Sequence, residues 1–196
     1  MNSTHSVTMN GNLCIKRFNS RGEYLTEKRV LNKLDELDIS FTVKAKHIDE
    51  RNNAIHYIRE DVKGTLEVVL GRGIIPVKVR KHYWAQIANM LRVLHMHSIT
   101  HGDFKSKNIL VKHDDTLLLC DFDLSSINQR NEKEYMNDKK KAFFIKCQLF
   151  MIRHNDRHHW VYENEDKNFR NGEQIYDDGP EFQRDLYTLL IEQILD

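Results

Sequence analysis

Asp103, Lys105 and Asn108 share one short run, His101-Gly102-Asp103-Phe104-Lys105-Ser106-Lys107-Asn108, and Asp121 opens a second, Asp121-Phe122-Asp123. Together these residue types suit the movement of a phosphoryl group. Such a transfer asks little covalent help of a protein. It needs the acceptor held in line and positive charge where negative charge accumulates. Asp103 would accept or orient the proton of an acceptor hydroxyl, and Lys105, two residues on, would meet the moving phosphate. Asn108 offers a neutral oxygen and Asp121 a charged one; both suit Mg2+, a hard ion that prefers oxygen and keeps several waters.

The two runs are separated by a strand (Ile109-Leu110-Val111), a polar turn (His113-Asp114-Asp115) and a second strand (Leu117 to Cys120). Upstream, Ser6-Val7-Thr8-Met9 and Leu13 to Phe18 read as strands joined at Asn10-Gly11, a strong hairpin signal. Glu23 to Leu37 reads as a helix, with Leu25, Val30, Leu31, Leu34 and Leu37 at helical spacing. Short strands are expected near Phe41 to Lys46 and Ala54 to Arg59. Gly64, Gly71 and Gly73 then mark a looser connection, with a short helix from Thr65 to Leu70. Val79 to His97 is the best helix: Tyr83, Trp84, Ile87, Met90, Leu91 and Leu94 form one apolar stripe that reads as core. After Asp121 come a charged loop (Gln129 to Asn137), an apolar helix (about Asp138 to Arg153), a polar His-rich stretch (His154 to Asp178) and a final helix (Pro180 to Leu195).

The pattern H-G-D-F-K-x-x-N, strand-turn-strand, D-F-D resembles the catalytic and metal-binding loops of the protein-kinase-like fold. Cys14-Ile15-Lys16 is similar to the kinase strand whose lysine holds the α- and β-phosphates of ATP. Glu27 resembles the helix glutamate that pairs with that lysine. Glu60-Asp61-Val62, followed by Gly64, looks like the hinge that binds adenine through backbone groups. The resemblance implies an α+β, two-lobed protein-kinase-like fold, with a truncated N-lobe (about 1–60) and a reduced helical C-lobe (about 65–196) in one minimal domain, 1–196. It implies ATP and Mg2+ as cofactors. Asp103 and Lys105 would be catalytic, Lys16, Glu27, Glu60 and Val62 would hold the nucleotide, and Asn108 and Asp121 the metal. His101 would pack the catalytic loop rather than act as acid or base.

Four departures qualify the resemblance. No G-x-G-x-x-G loop is present, and about 15 residues precede Lys16, enough for one hairpin. Gly102 replaces the arginine that reads an activation-loop phosphate, so control by such phosphorylation is not expected. Asp123 replaces the glycine of D-F-G and adds a carboxylate near the metal. No A-P-E follows, so the substrate-docking part is trimmed. The brevity is similar to that of bacterial effector kinases and of the compact kinase in the KEOPS complex. His-Gly-Asp occurs in vaccinia-related kinases, aminoglycoside phosphotransferases and lipopolysaccharide-core sugar kinases, and Asp-Phe-Asp resembles the last group. Lys105 is typical of serine/threonine protein kinases, which points to transfer of the ATP γ-phosphate to a protein hydroxyl. A small-molecule or lipopolysaccharide-sugar kinase, and a nucleotide-binding pseudokinase scaffold, stay open beside that reading. The missing glycine-rich loop favours the scaffold; the retention of Lys16, Asp103 and Asp121 favours the enzymes. Because one hairpin cannot shield the phosphates from water, an activating protein partner is expected to complete the ATP site.

The remaining features bound the problem. Thirty basic against 29 acidic side chains leave a net charge of +1, which gives no reason to expect nucleic acid as a partner. Lys139-Lys140-Lys141 reads as a solvated helix face. No apolar run approaches the roughly 18 residues of a membrane span, and no signal-peptide core follows Met1. Cys14, Cys120 and Cys147 are odd in number and lie in apolar runs, so they read as buried thiols in a reducing compartment. A cytoplasmic location, or delivery into a host cytoplasm without a cleavable signal, is the expectation. His154, His158 and His159 lack partners at closed-site spacing and read as polar surface rather than a zinc site.

Overall fold

The computed structural model describes residues 5–73, 75–127 and 132–150. The described elements belong to one compact unit that closes at Leu149. In chain order they are β1 (His5–Asn10), β2 (Leu13–Phe18), α1 (Arg21–Glu36), β3 (Ala45–Asp49), β4 (Ala54–Ile58), β5 (Val62–Thr65), α2 (Leu66–Gly71), α3 (Val77–Met96), β6 (Ile99–Thr100), β7 (Ile109–Lys112), β8 (Leu117–Leu119), β9 (Ser126–Ile127) and α4 (Glu132–Phe150). The expected final helix, the stretch from His154 to Asp178 with its histidines, and the helix end beyond Phe150 lie outside the described residues.

The first lobe is an antiparallel sheet of order β1-β2-β4-β3 with α1 against it. Asn10 pairs with Leu13, so the hairpin turn is Gly11-Asn12, one residue later than the expected Asn10-Gly11. Gly11 takes φ 56, a left-handed conformation that costs glycine little. Helix α1 starts two residues before the expected Glu23, because Ser20-Arg21-Gly22-Glu23 forms a cap in which Ser20 Oγ accepts from the Glu23 N–H. Tyr24 of α1 meets the Phe18 ring of β2 edge-on at 5.8 Å.

The second part joins β5, β7 and β8 in one antiparallel sheet and β6 with β9 in another, with α2, α3 and α4 around them. The α3 stripe from Tyr83 to Leu94 is buried as expected, alongside Ile109, Val111 and Leu117 to Leu119. Each fully buried large apolar side chain contributes about 1.5–3 kcal/mol, well above helix-propensity differences among ordinary residues. The stripe therefore sets this helix. The α+β, two-lobed architecture with a short first lobe is the one the motifs imply.

Several local expectations give way to tertiary contacts. The strand expected at Phe41 to Lys46 forms instead at Ala45–Asp49. Ahead of it the backbone pairs with β8: Val43 N–H donates to Leu119 O, and Leu119 N–H to Phe41 O. Gly64 lies inside β5, where a register shift between Val62 and Gly64 accommodates its φ of 141. Leu25 is 41% exposed rather than part of the apolar stripe of α1, whose buried face is Tyr24, Glu27, Val30, Leu31 and Leu34. Residues 132–137, expected as loop, are the first turns of α4. There Glu134 accepts hydrogen bonds from Thr100 and Ser126, tying the helix to β6 and β9.

Candidate active site

Strand β2 turns Cys14 and Lys16 to one face, because residues two apart on a strand point the same way. Both line a cavity of about 690 Å³, within the size range of small-molecule sites. Of the expected site residues, Lys16, Glu27, Glu60, Val62, Asn108 and Asp121 all line it, brought there by β2, α1, the β4–β5 connection and the loops flanking the β7–β8 hairpin. Asp103 and Lys105 are joined to the cavity through Asn108. The Asn108 side-chain amide donates to Asp103 O at 2.9 Å and Oδ2 at 3.1 Å. That commits its nitrogen, so its oxygen is the atom that would meet a metal.

Lys16 is the electrostatic centre of the cleft. Its Nζ donates to Glu27 Oε2 at 2.6 Å, to Asp121 Oδ1, and to Asp123 Oδ2 at 3.3 Å, and it sits 4.7 Å from the Phe18 ring centre. Burial by itself would lower the ammonium pKa. The Glu27 and Asp121 carboxylates outweigh that and hold it above its ordinary value, so Lys16 is charged. Glu27 is buried on α1 and also accepts from the Tyr57 hydroxyl of β4, which fixes both its oxygens. Asp121 has φ 72, a left-handed conformation uncommon outside glycine, which aims its carboxylate at Lys16.

The loop at residues 101–108 is built around His101. Its ring is fully buried, 5.7 Å from the Phe104 ring and 4.8 Å from the Phe122 ring. Nδ1 accepts from the Asp103 N–H, and Nε2 lies 3.0 Å from Cys120 O, so the neutral Nε2–H tautomer satisfies both contacts. Burial lowers its pKa and keeps it neutral. His101 is thus a packing residue, as expected. Asp103 has Lys105 Nζ on Oδ2 at 2.5 Å and Lys141 Nζ 3.5 Å from Oδ1. Burial would raise its carboxyl pKa, but Lys105 and then Lys141 outweigh it and hold it below the usual carboxylate range.

Three participants were not foreseen as such. Asp138, fully buried on α4, accepts from the backbone N–H of His101 at 2.7 Å and of Gly102 at 3.0 Å, so α4 suspends the loop. Lys141, one turn on, donates to Gly102 O at 2.6 Å, which corrects the reading of it as a solvated face. The spacing Asp138-x-x-Lys141 was the available signal, since residues three apart share a helix side. Asp123 is buried against Lys16 and His5. Cys14 and Cys120 are free thiols, but half-buried and lining the cavity, not fully buried as expected. Burial pushes the Cys120 thiol up to about 12. The Cys147 side chain is outside the described part. Gly102, at φ 77, leaves no room for a side chain: a Cβ there would lie 2.0 Å from Leu124 O. The missing arginine is thus excluded sterically by this loop path.

Among the described residues no helix is long and apolar enough to cross a membrane. The family model for the protein kinase domain matches residues 9–145. The chain is similar to cyclin-dependent kinase-like 5 of Mus musculus, 33% identical over 146 residues, which is 68% of this chain and 15% of that protein. It is 46% identical over 63 residues (32% of this chain, 14% of the relative) to the cyclin-dependent kinase 4 homolog of Caenorhabditis elegans. It is 31% identical over 99 residues (46% and 18%) to a probable serine/threonine-protein kinase KIN1 homolog of Encephalitozoon cuniculi. The chain therefore spans only about a sixth of the length of these relatives. With that match running from ahead of Lys16 to beyond Lys141, the chain belongs to the protein kinase domain family.

Proposed function

We propose that the chain is an ATP-dependent serine/threonine protein kinase. The observation that carries this is the convergence of Lys16, Glu27, Asn108 and Asp121 on one cavity, with Asp103 bonded to Asn108 beside it. Lys16, positioned by Glu27, holds the α- and β-phosphates, and the backbone at Glu60 and Val62 binds adenine. Asp103 orients the acceptor hydroxyl and takes its proton. Lys105, 47% exposed and short-bonded to Asp103, swings to the γ-phosphate. Asp121 and Asn108 offer a charged and a neutral oxygen, the donor chemistry that Mg2+ takes. Bound there, that ion would neutralise phosphate charge. We read residues 1–196 as a single minimal kinase domain acting in a cytoplasm on protein substrates, with a protein partner completing the cover that the β1–β2 hairpin leaves short.

The test is transfer of labelled γ-phosphate from Mg-ATP to the chain itself, a generic protein and a cell lysate, beside Asp103→Ala and Asp121→Ala. Label on protein, lost in both variants, supports the reading. Wild-type-like transfer by either variant refutes the mechanism. No label on protein, with transfer appearing once a sugar acceptor is added, moves the function to small-molecule phosphorylation, and nucleotide binding with no transfer to either moves it to a pseudokinase scaffold.

A further inference from the structure

Three carboxylates meet one ammonium at the His5 end of the cleft. Glu27, Asp121 and Asp123 all contact Lys16 Nζ, with Glu27 and Asp123 buried and Asp121 half-buried. Carboxylates grouped away from bulk water call for cations beside them. His5, on β1, places Nδ1 3.3 Å from Asp123 Oδ2. One ligand atom from each of His5, Asp121 and Asp123 lies within 4.8 Å of the others. A cation is already seated between two of them, since the Lys16 ammonium spans Asp121 Oδ1 and Asp123 Oδ2. Neither His5 nor Asp123 belongs to the kinase pattern, in which a glycine stands at the Asp123 position.

We propose that His5, Asp121 and Asp123 form a binding site for a divalent transition-metal ion of the Mn2+ class. The inference rests on reading Asp121 as a metal ligand, and adds His5 and Asp123 to it. The ion would displace the Lys16 ammonium from the two aspartates and leave it on Glu27, its 2.6 Å partner. Lys16 would then be released toward phosphates while the ion holds the loop. The imidazole selects the class of ion. Mg2+ takes oxygen almost exclusively, whereas a mixed nitrogen and carboxylate set gains affinity along the first transition series. Adjacent ligands at about 2.1 Å from an ion lie about 3 Å apart, so the three ligand atoms, now within 4.8 Å of one another, would draw together by up to about 1.8 Å to close on it.

The experiment uses the full chain without nucleotide and Mn2+ alone as probe, following the free-ion paramagnetic resonance signal as protein is added. Wild type should bind Mn2+, with His5→Ala and Asp123→Asn each weakening it by at least about tenfold, and Mg2+ should compete poorly. A second measurement replaces Mn2+ by Co2+, whose visible bands report nitrogen ligation and should shift in His5→Ala. No Mn2+ binding by wild type, or equal affinity in His5→Ala, overturns the proposal; that variant decides alone should Asp123→Asn fail to fold. The kinase reading fails separately. Mn2+ binding that depends on His5 in a chain that transfers no phosphate leaves the metal site standing. Phosphate transfer with Mn2+ binding indifferent to His5 removes only the site.

Discussion

Replacing Asp138 should cost more than any change on the solvent face of α4, and the loss can be worked from its contacts. The carboxylate is fully buried and accepts from two backbone N–H groups, His101 at 2.7 Å and Gly102 at 3.0 Å, with His95 Nε2 at 3.5 Å. Alanine would strand both N–H groups. Each unsatisfied buried donor costs about 1–3 kcal/mol, and relief of the carboxylate's own desolvation offsets part of the sum. The net loss should be about 3 kcal/mol, a large fraction of a typical 5–15 kcal/mol stability. For a unit of this size that lowers Tm by about 6–12 °C. Asp138→Asn keeps one oxygen for one of the two donors, so its loss should be about half as large. Thermal melts by circular dichroism, paired with urea titrations, measure both variants. Phosphate transfer assayed well below their melting points should also fall, because Asp103 lies on the loop that Asp138 suspends. An alanine variant melting within about 1 °C of wild type would refute the idea that α4 holds the catalytic loop.

Three further outcomes are expected. Gly102→Ala should lose about 2 kcal/mol or more in urea titration, since its Cβ would meet Leu124 O at 2.0 Å from a backbone at φ 77; unchanged stability would mean the loop path is not required. Lys141→Met removes a charged donor 2.6 Å from Gly102 O and a cation beside Asp103. It should cost about 1–2 kcal/mol, with the transfer rate partly restored in Lys141→Arg; a urea midpoint equal to wild type would return Lys141 to the solvated face. His101 has a folded-state pKa below its unfolded value, so the unfolded chain binds the extra proton. Its contribution to stability is present at neutral pH and is lost as pH falls through about 6.5. Melts between pH 8 and 5 should therefore slope less steeply in His101→Gln than in wild type.

The residues proposed to carry the chemistry were legible in the chain because the roles proposed for them depend on residue type at short, fixed offsets. Asp103, Lys105 and Asn108 lie within one turn of loop, and a strand-turn-strand of conventional length separates them from Asp121. The α3 stripe was equally legible, since burial follows a 3.6-residue period that sequence displays directly. Lys16 and Glu27 could be proposed from motif order, but their 2.6 Å contact is a product of packing. What tertiary structure alone decided are the partners far apart in sequence. Asp138 reads only as the start of an apolar helix, and Lys141 as part of a solvated helix face, until α4 lays them against the loop at residues 101–103. The segment 41–44 is apolar enough for a strand, yet which strand it pairs with is settled by β8 arriving beside it. Asp123 and His5 stand 118 positions apart and meet only because β1 and the loop at residues 121–123 converge on Lys16. Local periodicity encodes which face is buried; the choice of partner across the core is made by the shape and hydrogen-bond needs of the whole, which no short window of sequence contains.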